Sequence, residues 1–326
     1  MSATVEVLQT VTYEQSERKD NFMKDIAGGI YPTMITPYKN GEIDYDAVRR
    51  LVDWYVENNC SGIFAVCQSS EMWYLSLKEK IKLAETVVKQ ADGRIHVVAS
   101  GHCGNSVEEQ AEEITEVSKT GIDGFILVSN RFDLHGDGDD EWIRNAEQVL
   151  DRATFDIPLG IYECPVPYKR LLTPKIFDWC KKDGRFQFIK DTCCDPDMLA
   201  ERLEILKDSG MMLFNANSQT LLYSLKKGAN GFSGIMANFH PDLLAWLYNN
   251  YEKEPEKAEQ LSNVLSMVAF TESMAYPCMA KYYLNLEGIE MDCFSRSCDA
   301  KRFTEYQRYV VGQMYDLTKE LRQFYR

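Results

Sequence analysis

Residues 158–191 read PLGIYECPVPYKRLLTPKIFDWCKKDGRFQFIKD. Two short apolar runs, PLGIYEC from Pro158 and FQFIKD from Phe186, flank TPKIFDWCKK, whose apolar residues fall at helical spacing. Near-continuous apolar runs mark strands buried on both faces, as in a parallel sheet, and a helix joining two of them makes a crossover unit. The pattern continues in both directions. Runs begin near Ile30 (IYPTMIT), Gly62 (GIFAVC), His96 (HVVAS), Gly124 (GFILVS), Pro158, Phe186, Met211 (MMLFN) and Gly231 (GFSGI), eight in all and 20 to 34 residues apart. Amphipathic stretches separate them, among them YDAVRRLVDWYVENN, SLKEKIKLAETVVKQ, SVEEQAEEITEVSKT and DMLAERLEILKDS. Eight alternations within about 210 residues predict a closed (β/α)8 TIM barrel. An open doubly wound sheet is the alternative, but no G-x-G-x-x-G follows the first run.

The barrel is placed at residues 28–238. Before it, residues 1–27 form a polar N-terminal arm without a sustained period. After it, residues 239–326 read as a C-terminal helical region, with Asn238-Phe239-His240-Pro241 as the punctuation. Trp246 and Tyr248 offer that region apolar surface for the barrel or for a second subunit.

The chain has 326 residues, with 36 basic against 50 acidic side chains and a net charge of −14. That balance argues against nucleic acid, which calls for clustered Lys and Arg. No uncharged apolar run approaches the ~18 residues of a membrane span, and residues 1–25 lack the layout of a secretory signal, so a cytoplasmic location is expected. Ten cysteines contain no C-x-x-C pair and there are only four histidines; no metal site is expected, and the thiols read as small apolar side chains.

Barrel enzymes work at the C-terminal ends of their strands, so the residues closing each run matter most. Lys190 follows four mostly apolar residues at a strand tip. A desolvated lysine loses its proton more readily, and the free amine attacks carbonyl carbon to form a Schiff base. The plainer alternative is a lysine that snorkels to solvent or pairs with Asp191. Tyr162 ends the preceding run and is a candidate proton carrier, though strand tyrosines commonly serve packing. Ser69 and Ser70 lie in a turn rich in N–H donors that suits a carboxylate, or simply cap a helix. Arg131, at the end of run four, offers a guanidinium to a second carboxylate, or else pairs with the acidic loop Asp133–Asp140, which reads as a flexible lid. Ser233 and Gly234 end run eight.

Taken in order, these residues resemble the dihydrodipicolinate synthase / N-acetylneuraminate lyase family of class I aldolases. The resemblance runs from about Gly29 to Asn238. It is carried by Thr36-Pro37-Tyr38, Cys67-Gln68-Ser69-Ser70-Glu71 (family G-T-T-G-E), Leu75-Ser76…Glu79, Tyr162…Pro165 (Y-N-x-P), Lys190-Asp191 and Gly228-Ala229-Asn230-Gly231…Ala237-Asn238. It implies a lyase that uses no cofactor and no metal. Lys190 would form the imine with pyruvate or another 2-oxo acid, Tyr162 would move protons, and the Gln68–Ser70 turn would hold the carboxylate. A homo-oligomer, tetramer or dimer, is expected. The departures are specific. Gln68 replaces the first Thr or Ser, Cys67 and Ser70 replace both glycines, and Ser129-Asn130-Arg131-Phe132 lacks the tyrosine of the T-P-Y-Y run. Pro167 stands where the synthases carry arginine, with Arg170 three positions later. These changes count against lysine-pathway synthase activity. They leave open a dehydratase of 2-keto-3-deoxy sugar acids using the same lysine, or a barrel that binds 2-oxo acids without turnover.

Overall fold

The computed structural model describes residues 26–325, so residues 1–25 of the predicted arm lie outside the described residues. Eight strands occupy the eight predicted runs: β1 (Gly29–Ile30), β2 (Gly62–Ala65), β3 (His96–Ala99), β4 (Gly124–Val128), β5 (Leu159–Tyr162), β6 (Phe186–Asp191), β7 (Met212–Asn215) and β8 (Gly231–Phe232). All neighbours pair in parallel, with β1 beside β8. A bridge between Thr33 and Phe64 joins the segment after β1 to β2. There Met34 N–H donates to Phe64 O (3.0 Å) and Phe64 N–H to Pro32 O (2.9 Å). The sheet is a closed barrel, as the alternation of runs predicts.

Each strand is followed by a helix: α1 (Tyr45–Glu57), α2 (Leu77–Ala91), α3 (Val107–Ser118), α4 (Asp139–Arg152), α5 (Pro174–Asp183), α6 (Pro196–Leu206), α7 (Leu221–Lys226) and α8 (Pro241–Asn250). Their starts are chemically marked. Ser76 with Glu79 and Ser106 with Glu109 form capping boxes, while Asp44, Thr173 and Asp195 cap α1, α5 and α6. Helix α8 packs against β1 and supplies the barrel's eighth helix, so the additional helices proper are α9 (Pro255–Val268), α10 (Cys278–Leu286) and α11 (Glu305–Leu321). Trp246 of α8 packs edge-on against Tyr325 of the same chain, at 4.8 Å between ring centres. No helix among the described residues is long and apolar enough to cross a membrane.

The barrel interior is aromatic. Phe188 stacks on Phe214 at 4.1 Å, and Tyr31 meets both edge-on at 5.4 and 4.9 Å. Strand β5 approaches β6 closely at Gly160, where a Cβ would stand 2.5 Å from Phe188 O. Side chains alternate along a strand, so Lys190 shares the inward side with Phe188, and Asp191 faces the helices. This alternation decides the chemistry of the site.

Candidate active site

Lys190 lies at the tip of β6, 4% exposed. Its Nζ sits 4.1 Å from the centre of the Tyr162 ring and 5.3 Å from that of Phe64. Tyr162 is its direct partner across the β5–β6 ladder. Burial lowers the Lys190 pKa from 10.5 to about 8, an effect partly opposed by the neighbouring Cys67 and Cys164 thiols.

Asp191 does not neutralise it. Asp191 points away from the barrel interior and pairs with Arg202 of α6, which also holds Glu163 at 2.7 Å. Glu163 further accepts from the N–H groups of Leu172 (2.7 Å) and Thr192 (2.9 Å). Burial pushes the Glu163 carboxyl upward while the Arg202 guanidinium pulls it down. The two acids beside the tips of β5 and β6 are thus consumed behind the barrel wall. The inward side keeps an amine without a carboxylate partner among the described residues.

Burial also holds the Tyr162 phenol protonated, well above the ordinary phenol range. A second phenol, Tyr276, electrostatically coupled to Tyr162, comes from the segment between α9 and α10. Its hydroxyl is hydrogen-bonded to Ser69 and Thr33, and it receives a long bond from Asn238 Nδ2 (3.4 Å). Ser69 Oγ donates to Thr33 Oγ1 at 3.1 Å. Sequence reasoning missed Tyr276 because it belongs to no strand tip; only the folding-back of the additional helices brings it to the mouth.

The Cys67–Glu71 turn is strained at both ends, with Val66 at φ 47° and Glu71 at φ 65°. The Ser70 hydroxyl is committed to the scaffold, donating to Met34 O (2.6 Å) and accepting from Cys67 N–H (3.1 Å). Thr36 Oγ1 donates to Ser70 O (2.7 Å). The backbone N–H groups of Ser69 and Ser70, in contrast, have no acceptor among the described residues. Ser70→Ala is therefore expected to cost about 1–3 kcal/mol, seen as a lower urea midpoint, with little change in KM for the keto acid.

Gln68 Oε1 accepts from Trp73 Nε1 (3.0 Å) and from the Cys164 thiol (3.2 Å). Arg131 is buried beside Trp73, its guanidinium 5.5 Å from that ring, and donates to Gly104 O and Asn105 Oδ1. The acidic loop is held instead by Arg170, which bonds Asp133 and Asp139 at 2.7 Å each. Those pairs pin both ends of the segment that the sequence suggests as a free lid. Ser233 directly follows β8 with its hydroxyl buried and without a partner among the described residues, and the Gly234 backbone passes too close to Ala216 O and the Phe232 ring for a side chain.

Glu71 ties the turn to the additional helices. Its carboxylate accepts from Lys281 Nζ (3.0 Å), Ser295 Oγ (2.9 Å) and Ser297 N–H (3.0 Å), and also from Arg296 N–H. Both charged groups of the Glu71–Lys281 pair are fully buried.

Residues 26–309 match the dihydrodipicolinate synthetase family. The 4-hydroxy-tetrahydrodipicolinate synthase of Staphylococcus carnosus is 25% identical over 309 residues, covering 90% of this chain and all of that one. A dihydrodipicolinate synthase from Bacillus anthracis superposes with a TM-score of 0.80 at 20% identity, over 90% of this chain and 99% of its own. A prophage protein of the same family from E. coli K12, solved in complex with pyruvate, also gives 0.80 at 20% identity, over 90% and 98%. With the barrel, the lysine at its sixth strand tip and a match spanning most of its length, the chain belongs to the dihydrodipicolinate synthetase family of aldolase-type lyases.

Proposed function

We propose that the protein is a Schiff-base-forming lyase that makes or breaks a carbon–carbon bond next to pyruvate or a related 2-oxo acid. The observation that carries this reading is the Lys190 amine. It is buried between two aromatic rings, and its sequence neighbour Asp191 is paired elsewhere. In this reading Lys190 Nζ adds to the keto carbon, water leaves, and the iminium draws electrons from the adjacent bond. Tyr162, kept protonated by burial, carries protons to and from the carbinolamine oxygen. The free N–H groups of Ser69 and Ser70 receive the carboxylate, with Gln68 in the same turn and Ser233 and Gly234 beyond β8, one strand removed from it across β1. Pyruvate bound to the E. coli relative supports this choice of substrate class.

The absence of a tyrosine in Ser129–Phe132 separates this chain from the lysine-pathway synthases, and we keep the acceptor open between an aldehyde and a sugar acid. A homo-oligomer, tetramer or dimer, in the cytoplasm is the setting proposed for it; light scattering tests the assembly.

Borohydride reduction in the presence of pyruvate, followed by peptide mass mapping, tests the reading. An adduct on Lys190 is expected, and no adduct there would refute it. The nucleophile is the neutral amine, so the trapping rate should rise with pH through about 8 and then level. A rate flat from pH 6 to 9 would contradict the geometry.

A further inference from the structure

The two phenols of the site cannot by themselves keep a proton taken from a substrate. Burial holds both Tyr162 and Tyr276 protonated, well above the ordinary phenol range. A neutral phenol accepts a proton only as it surrenders its own, so the pair needs an end group that takes up the surplus. The acids nearest the strand tips are committed elsewhere: Asp191 and Glu163 to Arg202, and Glu71 to Lys281.

Glu272 is different. It lies in the single helical turn Ala269–Ser273 that follows α9, four residues before Tyr276, and is half-buried. Its carboxylate makes no hydrogen bond or ion pair among the described residues. It acts electrostatically on two groups, the Tyr276 phenol and the Cys194 thiol. Cys194 stands four residues beyond Lys190, just past the tip of β6, which puts the carboxylate beside that tip. The other charges acting on Cys194 are Lys169, which donates to Thr192 O at 2.8 Å, and the two acids held by Arg202. Residues 262–268 of α9 and the segment Ile235–Asn238, both packed against the turn, carry no titratable side chain, and Thr271 meets α11 at Met314 (3.5 Å). Burial alone raises the affinity of Glu272 for a proton.

We propose that Glu272 is the terminal proton acceptor of the site, reached from the imine through Tyr162 and Tyr276. The inference rests on the lyase reading of Lys190 and supplies the base that reading lacks. When the pyruvate iminium becomes an enamine, a methyl C–H bond breaks. Its electron pair forms the carbon–carbon double bond, and the C=N π pair returns to nitrogen. The released proton goes to the Tyr162 oxygen, the proton of Tyr162 to Tyr276, and that of Tyr276 to the Glu272 carboxylate, with water bridging any gap longer than a hydrogen bond. Glu272 then exchanges it with solvent.

Pyruvate alone reports the step, because in heavy water each enamine that reverts carries deuterium on its methyl carbon. NMR of the methyl group measures the exchange, and borohydride trapping measures the imine present. Exchange per trapped imine counts only molecules that form the imine, so a loss of folding does not mimic the effect. This ratio should fall as the pH is lowered through the titration of Glu272, which lies above the usual glutamate value of 4.5. Glu272→Gln should lower it about 100-fold or more and flatten its pH dependence. Tyr276→Phe should give a similar loss, and the double variant no further loss, since both interrupt one path. A wild-type ratio in Glu272→Gln, or losses that multiply in the double variant, overturns the proposal. Absence of a borohydride adduct on Lys190 in the wild-type protein refutes the lyase reading itself, and this inference with it.

Discussion

Replacing Lys190 with methionine is expected to lower turnover by at least about 10⁴-fold while raising stability at neutral pH. In the proposed reading, the activity loss follows from deleting the nitrogen that forms the imine with substrate. The gain follows from linkage. The folded protein binds this proton less tightly than the unfolded chain does, with a pKa near 8 against 10.5. Keeping the lysine therefore costs stability fully below pH 8, progressively less up to pH 10.5, and nothing above. The upper limit is roughly 3 kcal/mol. Urea unfolding of both proteins at pH 7 and at pH 11 checks this. The advantage of Lys190→Met should be clear at the lower pH and shrink at the higher one. A substitution that destabilises at pH 7, or whose effect ignores pH, would contradict the buried-amine geometry.

Glu71→Ala should produce the largest destabilisation, about 3–5 kcal/mol. It strands the Lys281 ammonium in a fully buried position and removes the acceptor of Ser295, Arg296 and Ser297. Because Glu71 closes the turn that begins at Cys67, slower pyruvate trapping should accompany the lost stability. Adding Lys281→Met should restore part of the stability, since the stranded charge is then gone. Chemical denaturation of the single and double variants measures the coupling; a single-variant loss below about 1 kcal/mol would show that the pair contributes little.

The fold was legible because a parallel barrel writes itself as repeated apolar runs, and every one of the eight became a strand. Lys190 was legible for the same reason: a charge at the end of FQFI interrupts the pattern where barrels do chemistry. The fate of Asp191 was not, since its partner Arg202 stands eleven residues on, in a helix whose facing side only the packed structure reveals. The sequence offers Arg131 to the acidic loop, but Arg170 takes those carboxylates. Tyr276 and Lys281 were invisible for a different reason. Strand-tip reasoning stops at the eighth strand, whereas both residues reach the mouth from the additional helices.

The clasp on Glu71 has a consequence for biosynthesis. Its partners lie 210 to 226 positions downstream, so a ribosome releases all eight strands well before it supplies Ser295–Ser297. The Cys67–Glu71 turn is therefore fastened only after every barrel strand has been made and, in the proposed reading, the carboxylate cradle is the last part of the site to be completed.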